Sequence, residues 1–206
     1  IEIAYNGSNY HGWQYQPNAN SVQEEINKCF SIFLKHEINI IGASRTDTGV
    51  HARQMFAHFE TKEKISTDEI IYKINSFLPD DIFIRKIFLV SDQLHARFSA
   101  IRRTYKYYIS TDKDPFNKEC YIYYRDLDVT LMNEASKYLL KEQDFSSFSK
   151  LHTQTNNNYC NIFEAEWEII GNYIIFTISA DRFLRNMVRA IVGTLILVGE
   201  RKLSPK

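Results

Sequence analysis

Twice in the first half of the chain, a serine is followed three positions later by a glutamate, at the head of a stretch with apolar residues at helical spacing. Ser21 and Glu24 open a stretch in which Val22, Ile26, Phe30, Phe33 and Leu34 share one face. Ser66 and Glu69 open a second, with Ile70, Ile71, Ile74, Phe77 and Leu78 as its stripe. In such a capping box the hydroxyl accepts a free helix N–H while the carboxylate reaches back to the cap. The spacing therefore predicts helices over about 21–36 and 66–78, the second ended by Pro79. Apolar runs at 1–6, Glu37–Gly42, Gln54–Thr61 and Ile82–Val90 read as strands around them.

That order is strand, helix, strand, strand, helix, strand, the split βαβ unit. A similar order follows. Thr104–Ser110 is a tyrosine-rich strand, and Thr130–Lys141 a helix with Leu131, Ala135, Tyr138 and Leu139 inward. Asn161–Ile170 and Tyr173–Ser179 are strands joined by the hairpin signal Gly171-Asn172. Asp181–Val198 reads as a helix with Gly199 at its C-terminal cap. The expected fold is α+β: two ferredoxin-like units, residues 1–95 and 96–206, with antiparallel sheets flanked by helices. The second unit is expected to lack its last strand, and both ends of the chain read as trimmed. Leu151–Asn158 is the expected surface excursion.

A chain of 206 residues, 44% hydrophobic and 24% charged, can bury a substantial core and is neither a disordered nor a membrane composition. No apolar run approaches the roughly 20 residues of a bilayer span. Cys29, Cys120 and Cys160 have no metal-type spacing and read as reduced thiols of a cytoplasmic protein. The histidines likewise form no metal or triad spacing. Net charge is zero, so any nucleic-acid binding must come from local clustering.

Three clusters could carry chemistry. Where the second half needs only a tight turn, the first connects its middle strands by Ala43–Arg53, with Arg45, Asp47, Gly49 and His51. A carboxylate there can serve as nucleophile or base, and a neighbouring arginine favours its ionised form. The same residues also suit a polar turn with Gly49 at positive φ. Asp47-Thr48-Gly49 matches the aspartic protease tripeptide, but that chemistry needs a second carboxylate. The second cluster, Ala96–Tyr108, interleaves cations with aromatics, and strand alternation puts Arg103, Tyr105 and Tyr107 on one face. Cations there can hold phosphates while a ring stacks on a base. The third is the last helix, where Arg182, Arg185 and Arg189 are expected to share a face, with Arg189 partly buried beside the apolar stripe.

Gly42–Ala52 resembles the nucleophile signature G-R-T-D-A-G-V-H-A of tRNA pseudouridine synthases of the class acting at positions 38, 39 and 40, with Ser44 and Thr48 replacing a glycine and an alanine. Ala4–Gln14 is similar to that family's opening segment. Ala96–Ala100 with Tyr105-Lys106-Tyr107, then Asp144–Phe148, then Phe183–Gly193, match its later blocks in order across nearly the whole chain. The resemblance implies two similar units facing each other over a basic cleft, a homodimer, no cofactor or metal, and the tRNA anticodon stem-loop as substrate. By position it makes Asp47 the nucleophile and Tyr105 the ring stacked on the target uracil. Arg189 becomes the partner of Asp47, and Arg45 helps displace the target base. A non-catalytic RNA-binding protein is the alternative expectation, although the aromatic signature of the common RNA-recognition module is absent.

Overall fold

The computed structural model describes residues 1–63, 65, 67–115, 119–149 and 157–206. The chain divides into two compact units, Ile1–Ala100 and Ile101–Lys206. The first contains β1 (Glu2–Tyr5), α1 (Val22–Leu34), β2 (Ile41–Gly42), β3 (Ala52–His58), α2 (Thr67–Phe77) and β4 (Ile82–Lys86). Its sheet has the order β2-β3-β1-β4 with every neighbour antiparallel. The second contains β5 (Arg103–Ser110), β6 (Tyr121–Ile122), α3 (Val129–Leu139), β7 (Ile162–Ile170), β8 (Tyr173–Ala180) and α4 (Met187–Gly199), in sheet order β6-β5-β8-β7. The two-unit α+β architecture is the one the sequence implies, with one departure. β6 pairs with β5 in parallel, so the second sheet is mixed rather than antiparallel.

The first helix forms as its sequence specifies. Ser21, fully buried and in extended backbone, accepts the Glu24 N–H at 3.3 Å. Ile26, Phe30 and Leu34 then enter a core with Ile3, Ile40, Ile74 and Ile84. Each fully buried aliphatic or aromatic side chain of this size contributes roughly 1.5–3 kcal/mol. The corresponding capping box at Ser66 lies outside the described residues.

The second strand is shorter than its apolar run. Ile38 and Ile40 are buried, but their N–H groups donate to Ser31 Oγ (2.8 Å) and Asn27 Oδ1 (2.9 Å) of α1. Side chains of the helix replace a strand partner there, so the ladder begins only at Ile41. A related device ties helix to sheet in both units. Asn75 of α2 bonds both the N–H and C=O of Ile84, each at 2.8 Å, and Asn133 of α3 does the same for Trp167, at 2.8 and 2.9 Å.

Three further expectations are corrected. The buried face of α3 is Met132, Ala135, Ser136 and Leu139, with Tyr138 40% exposed, because α3 is turned to meet α4 at Gly199. A Cβ on Gly199 would stand 2.6 Å from Met132 Sδ, so this glycine closes a helix contact rather than capping a terminus. Residue Arg201 takes the left-handed backbone, φ 58°, after the helix. Finally, α4 starts at Met187 rather than Asp181, because Asn186 sits in left-handed backbone at φ 63° and Asp181 Oδ1 accepts the Arg182 N–H. Arg182 and Arg185 therefore precede the helix and share no helical face with Arg189. Of the expected Leu151–Asn158 loop, residues 151–156 lie outside the described residues.

Replacing Ser21 with Ala should lower unfolding free energy by about 1 kcal/mol, the usual cost of losing a side-chain cap. Urea unfolding checks this. An unchanged midpoint would show that the hydroxyl contributes nothing to α1.

Candidate active site

The loop carrying Asp47 runs between β2 and β3 and is gripped by the segment that follows β1. Trp13 donates its N–H to the Thr46 carbonyl at 3.3 Å, and Gly49 donates to the Tyr10 carbonyl at 3.2 Å. The Gly7 N–H donates to His51 Nδ1 at 3.1 Å, which requires that nitrogen to be unprotonated. The Tyr5 hydroxyl and Thr46 Oγ1 share a hydrogen bond of 3.0 Å. Backbone thus meets backbone on both sides of the acid.

Two glycines make that approach possible. A Cβ on Gly7 would lie 2.1 Å from the Val50 carbonyl oxygen, and one on Gly12 2.2 Å from that of Thr46. Real Cβ atoms essentially never come under 3.0 Å, and both obstacles are backbone, which has no rotamer to escape into. Gly12 also has φ +95°, a conformation that L side chains rarely adopt. Gly49 is different: space around it is open, and its φ of +77° alone favours glycine. It closes the turn in which Val50 N–H returns to the Asp47 carbonyl at 3.2 Å.

The gripping segment is itself anchored by Asp81, between α2 and β4. Asp81 accepts the Tyr10 hydroxyl at 2.6 Å, Asn9 Nδ2 at 3.0 Å, and, through its carbonyl, the Asn6 N–H at 2.8 Å. Burial first, and then this carboxylate, push the Tyr10 hydroxyl pKa upward, so it stays a donor.

Asp47 is half-buried at the centre of this frame. Within its own unit its carboxylate has no hydrogen-bond or ion-pair partner among the described residues. The exposed Arg45 lies two positions away. The frame fixes the backbone of the acid and leaves its oxygens for something else to engage.

In the second unit, β5 pairs with β8 so that Tyr105 stands opposite Ile178 and Tyr107 opposite Phe176. Both tyrosines therefore lie on the face covered by α3 and α4. Tyr105 is half-buried, its ring edge-to-face with Phe183 at 5.1 Å. Arg103, on the same face, donates Nη1–H to the Asp181 carbonyl at 2.6 Å, pinning the approach to α4. Arg189 is exposed, contrary to the expected partial burial. At 100° per residue it stands about 200° from Met187, away from the face formed by Met187, Ile191 and Leu195. Its charge is close enough to Tyr107 to oppose the rise in that hydroxyl's pKa, which burial dominates.

The sequence reading named Asp47, Arg45, Arg103, Tyr105 and Arg189, but gave Gly7, Gly12, Tyr10 and Asp81 no role. The signal available was a pair of isolated glycines in a polar, aromatic stretch where no hairpin was expected. Nothing marked Asp81. Among the described residues, no group of three or more His, Cys, Asp or Glu could hold a metal ion. Burial pushes the Cys29 and Cys160 thiols up to about 11, away from nucleophilic use. No helix of the described residues is long and apolar enough to cross a membrane.

A family model described as tRNA pseudouridine synthase matches residues 2–99 and 135–206. The chain is 53% identical over 205 residues to tRNA pseudouridine synthase A of Azobacteroides pseudotrichonymphae, covering 99% of this chain and 82% of that protein. To the protein of that name from Bacteroides thetaiotaomicron it is 51% identical, covering 99% and 77%. To that from a Thermoanaerobacter species it is 41% identical, covering 98% and 84%.

Gly7→Ala should push the Val50 carbonyl away and loosen the loop. Amide hydrogen exchange at Gly49 and Val50 should accelerate about tenfold or more, while amides of β8 keep their protection. Unchanged exchange at Gly49 would mean that the loop does not depend on this contact.

Proposed function

The chain belongs to the tRNA pseudouridine synthase family, and from that premise we propose that it isomerises uridines 38, 39 and 40 of the tRNA anticodon arm with Asp47 as the essential carboxylate. The observation that carries the assignment is the framing of Asp47. Its backbone is fixed from both sides, while its carboxylate has no partner within its unit.

The isomerisation breaks the bond between ribose C1′ and uracil N1, turns the base, and joins C1′ to C5. N1 gains a proton and C5 loses one, so atoms balance without an oxidant or reductant. Positive charge develops at C1′ as the glycosidic bond breaks, as in glycoside hydrolysis. An ionised carboxylate can attack C1′ or take a ribose proton, and either route requires it to be charged and close. Reaching C1′ requires the target nucleotide to leave its stack.

In this reading Tyr105, braced by Phe183, stacks on the uracil and retains it while it turns. Arg45 helps displace the target base, and Arg103 helps hold the substrate's backbone phosphate. Arg189 is proposed as the cation that favours the ionised form of Asp47. An exposed arginine gains little from a carboxylate in water, so this pairing would strengthen only when bound tRNA excludes solvent. The enzyme is proposed to act in the cytoplasm as a homodimer, without a cofactor.

Asp47→Asn should keep tRNA affinity within about twofold and abolish pseudouridine formation in unmodified tRNA, because the amide keeps the shape but not the charge. Turnover near the wild-type rate would remove Asp47 from the chemistry. Tyr105→Phe should retain activity and Tyr105→Leu should lose it, as read by the same mapping of modified positions. Equal activity in the two would exclude a stacking role.

A further inference from the structure

A second aromatic surface lies beside Tyr105 and has no place in the chemistry above. Tyr107, two residues along β5, meets Tyr121 of β6 edge-on at 6.4 Å between ring centres. Tyr121 in turn meets Tyr123 at 6.0 Å, with the rings tilted by 32°. The parallel register explains the row. Ile109 stands opposite Tyr121, so Tyr121 and Tyr123 project to the face that carries Tyr105 and Tyr107.

The row changes character along its length. Tyr107 and Tyr123 pack against the core of the unit, whereas Tyr121 is 48% exposed and lies outside that core. A two-residue edge strand gains little by presenting a large ring half to water. Cations border both ends of the row. The charge of Arg189 reaches Tyr107. At the far end Glu200 lies close enough to the Tyr123 hydroxyl to raise its pKa, and its carboxylate is held by Arg125 at 2.7 Å and Lys202 at 2.9 Å. Those cations and the tyrosine hold the Glu200 carboxyl at about 2, so at neutral pH this end of the row carries two cations around one anion.

Taking the proposed tRNA substrate as given, we infer that Tyr121 is a stacking platform for an unpaired nucleobase of the tRNA loop, next to the nucleotide held by Tyr105. A half-exposed ring with an aromatic neighbour on either side leaves aromatic surface for a base to stack on, and the bordering cations suit the phosphates that flank it. Every base has such a face, so the platform selects for unpaired RNA rather than for one sequence. That would let one enzyme accept neighbouring target positions in different sequence contexts.

Equilibrium binding of an unmodified tRNA transcript to the intact protein tests this, with urea unfolding of each variant as the folding control. Tyr121→Ala should weaken binding about tenfold, as loss of a base–aromatic stack does, and Tyr121→Phe should bind within about twofold of wild type. The dependence of affinity on salt should keep its slope in both variants, because a tyrosine releases no counterions, whereas a disturbed row of cations would alter it. Binding by Tyr121→Ala within twofold of wild type overturns the inference, as does a changed salt slope. Failure of the wild-type protein itself to bind or modify tRNA would overturn the functional reading instead, and is a separate result.

Discussion

The structure around Asp47 depends on two backbone contacts that no side chain can enter. The chain after β1 passes so close to the acid loop that a single methyl group on Gly7 or Gly12 would overlap a carbonyl oxygen. Hydrogen bonds from Trp13, Gly49 and Gly7 then hold the loop in register. Asp81 holds the other side of the same segment through Tyr10, Asn9 and Asn6. A loop between two strands is ordinarily among the softer parts of a fold. Here it is built into the first unit like an additional layer of the sheet.

That arrangement suits a carboxylate that must meet a developing positive charge. Catalysis favours groups fixed before the substrate arrives, since nothing then has to reorganise as charge develops. Backbone N–H and C=O groups do most of the fixing, and the Asp47 carboxylate oxygens make none of these bonds. In the second unit the same separation holds. Phe183 braces the Tyr105 ring by an edge contact, and Arg103 ties the residues ahead of α4. In the proposed reading each unit supplies one working group, Asp47 or Tyr105, supported by neighbours that do no chemistry themselves.

Much of the fold was readable because periodicity and capping reported the same thing. Ser21 with its apolar stripe specified α1 and its buried face, and Gly171-Asn172 specified the β7–β8 hairpin. Each misreading traces to a conformation or a contact that periodicity does not encode. Ile38 and Ile40 look like a strand, but side chains of α1 take their N–H groups. Phe183–Arg185 look helical, but Asn186 turns left-handed. Tyr121–Ile122 is too short to show a period at all. The site follows the same rule. Asp47, Tyr105 and Arg189 were legible as chemical types within motifs, whereas Gly7, Gly12 and Asp81 matter through contacts that no spacing encodes.

Close backbone contact, and not glycine's conformational freedom alone, positions the acid. Gly12 and Gly171 both have positive φ, at +95° and +57°, but only Gly12 faces a carbonyl, Gly171 having nothing within 4 Å. Alanine at either position carries backbone strain, so Gly171→Ala shows what a strained turn costs away from the acid, and Gly12→Ala adds the overlap with the Thr46 carbonyl. The measurement is the single-turnover rate of uridine conversion in unmodified tRNA. Gly12→Ala should slow it about 100-fold, as misplacement of a reacting group by an ångström can, while Gly171→Ala stays within about twofold of wild type. Equal rates in the two variants would contradict the account.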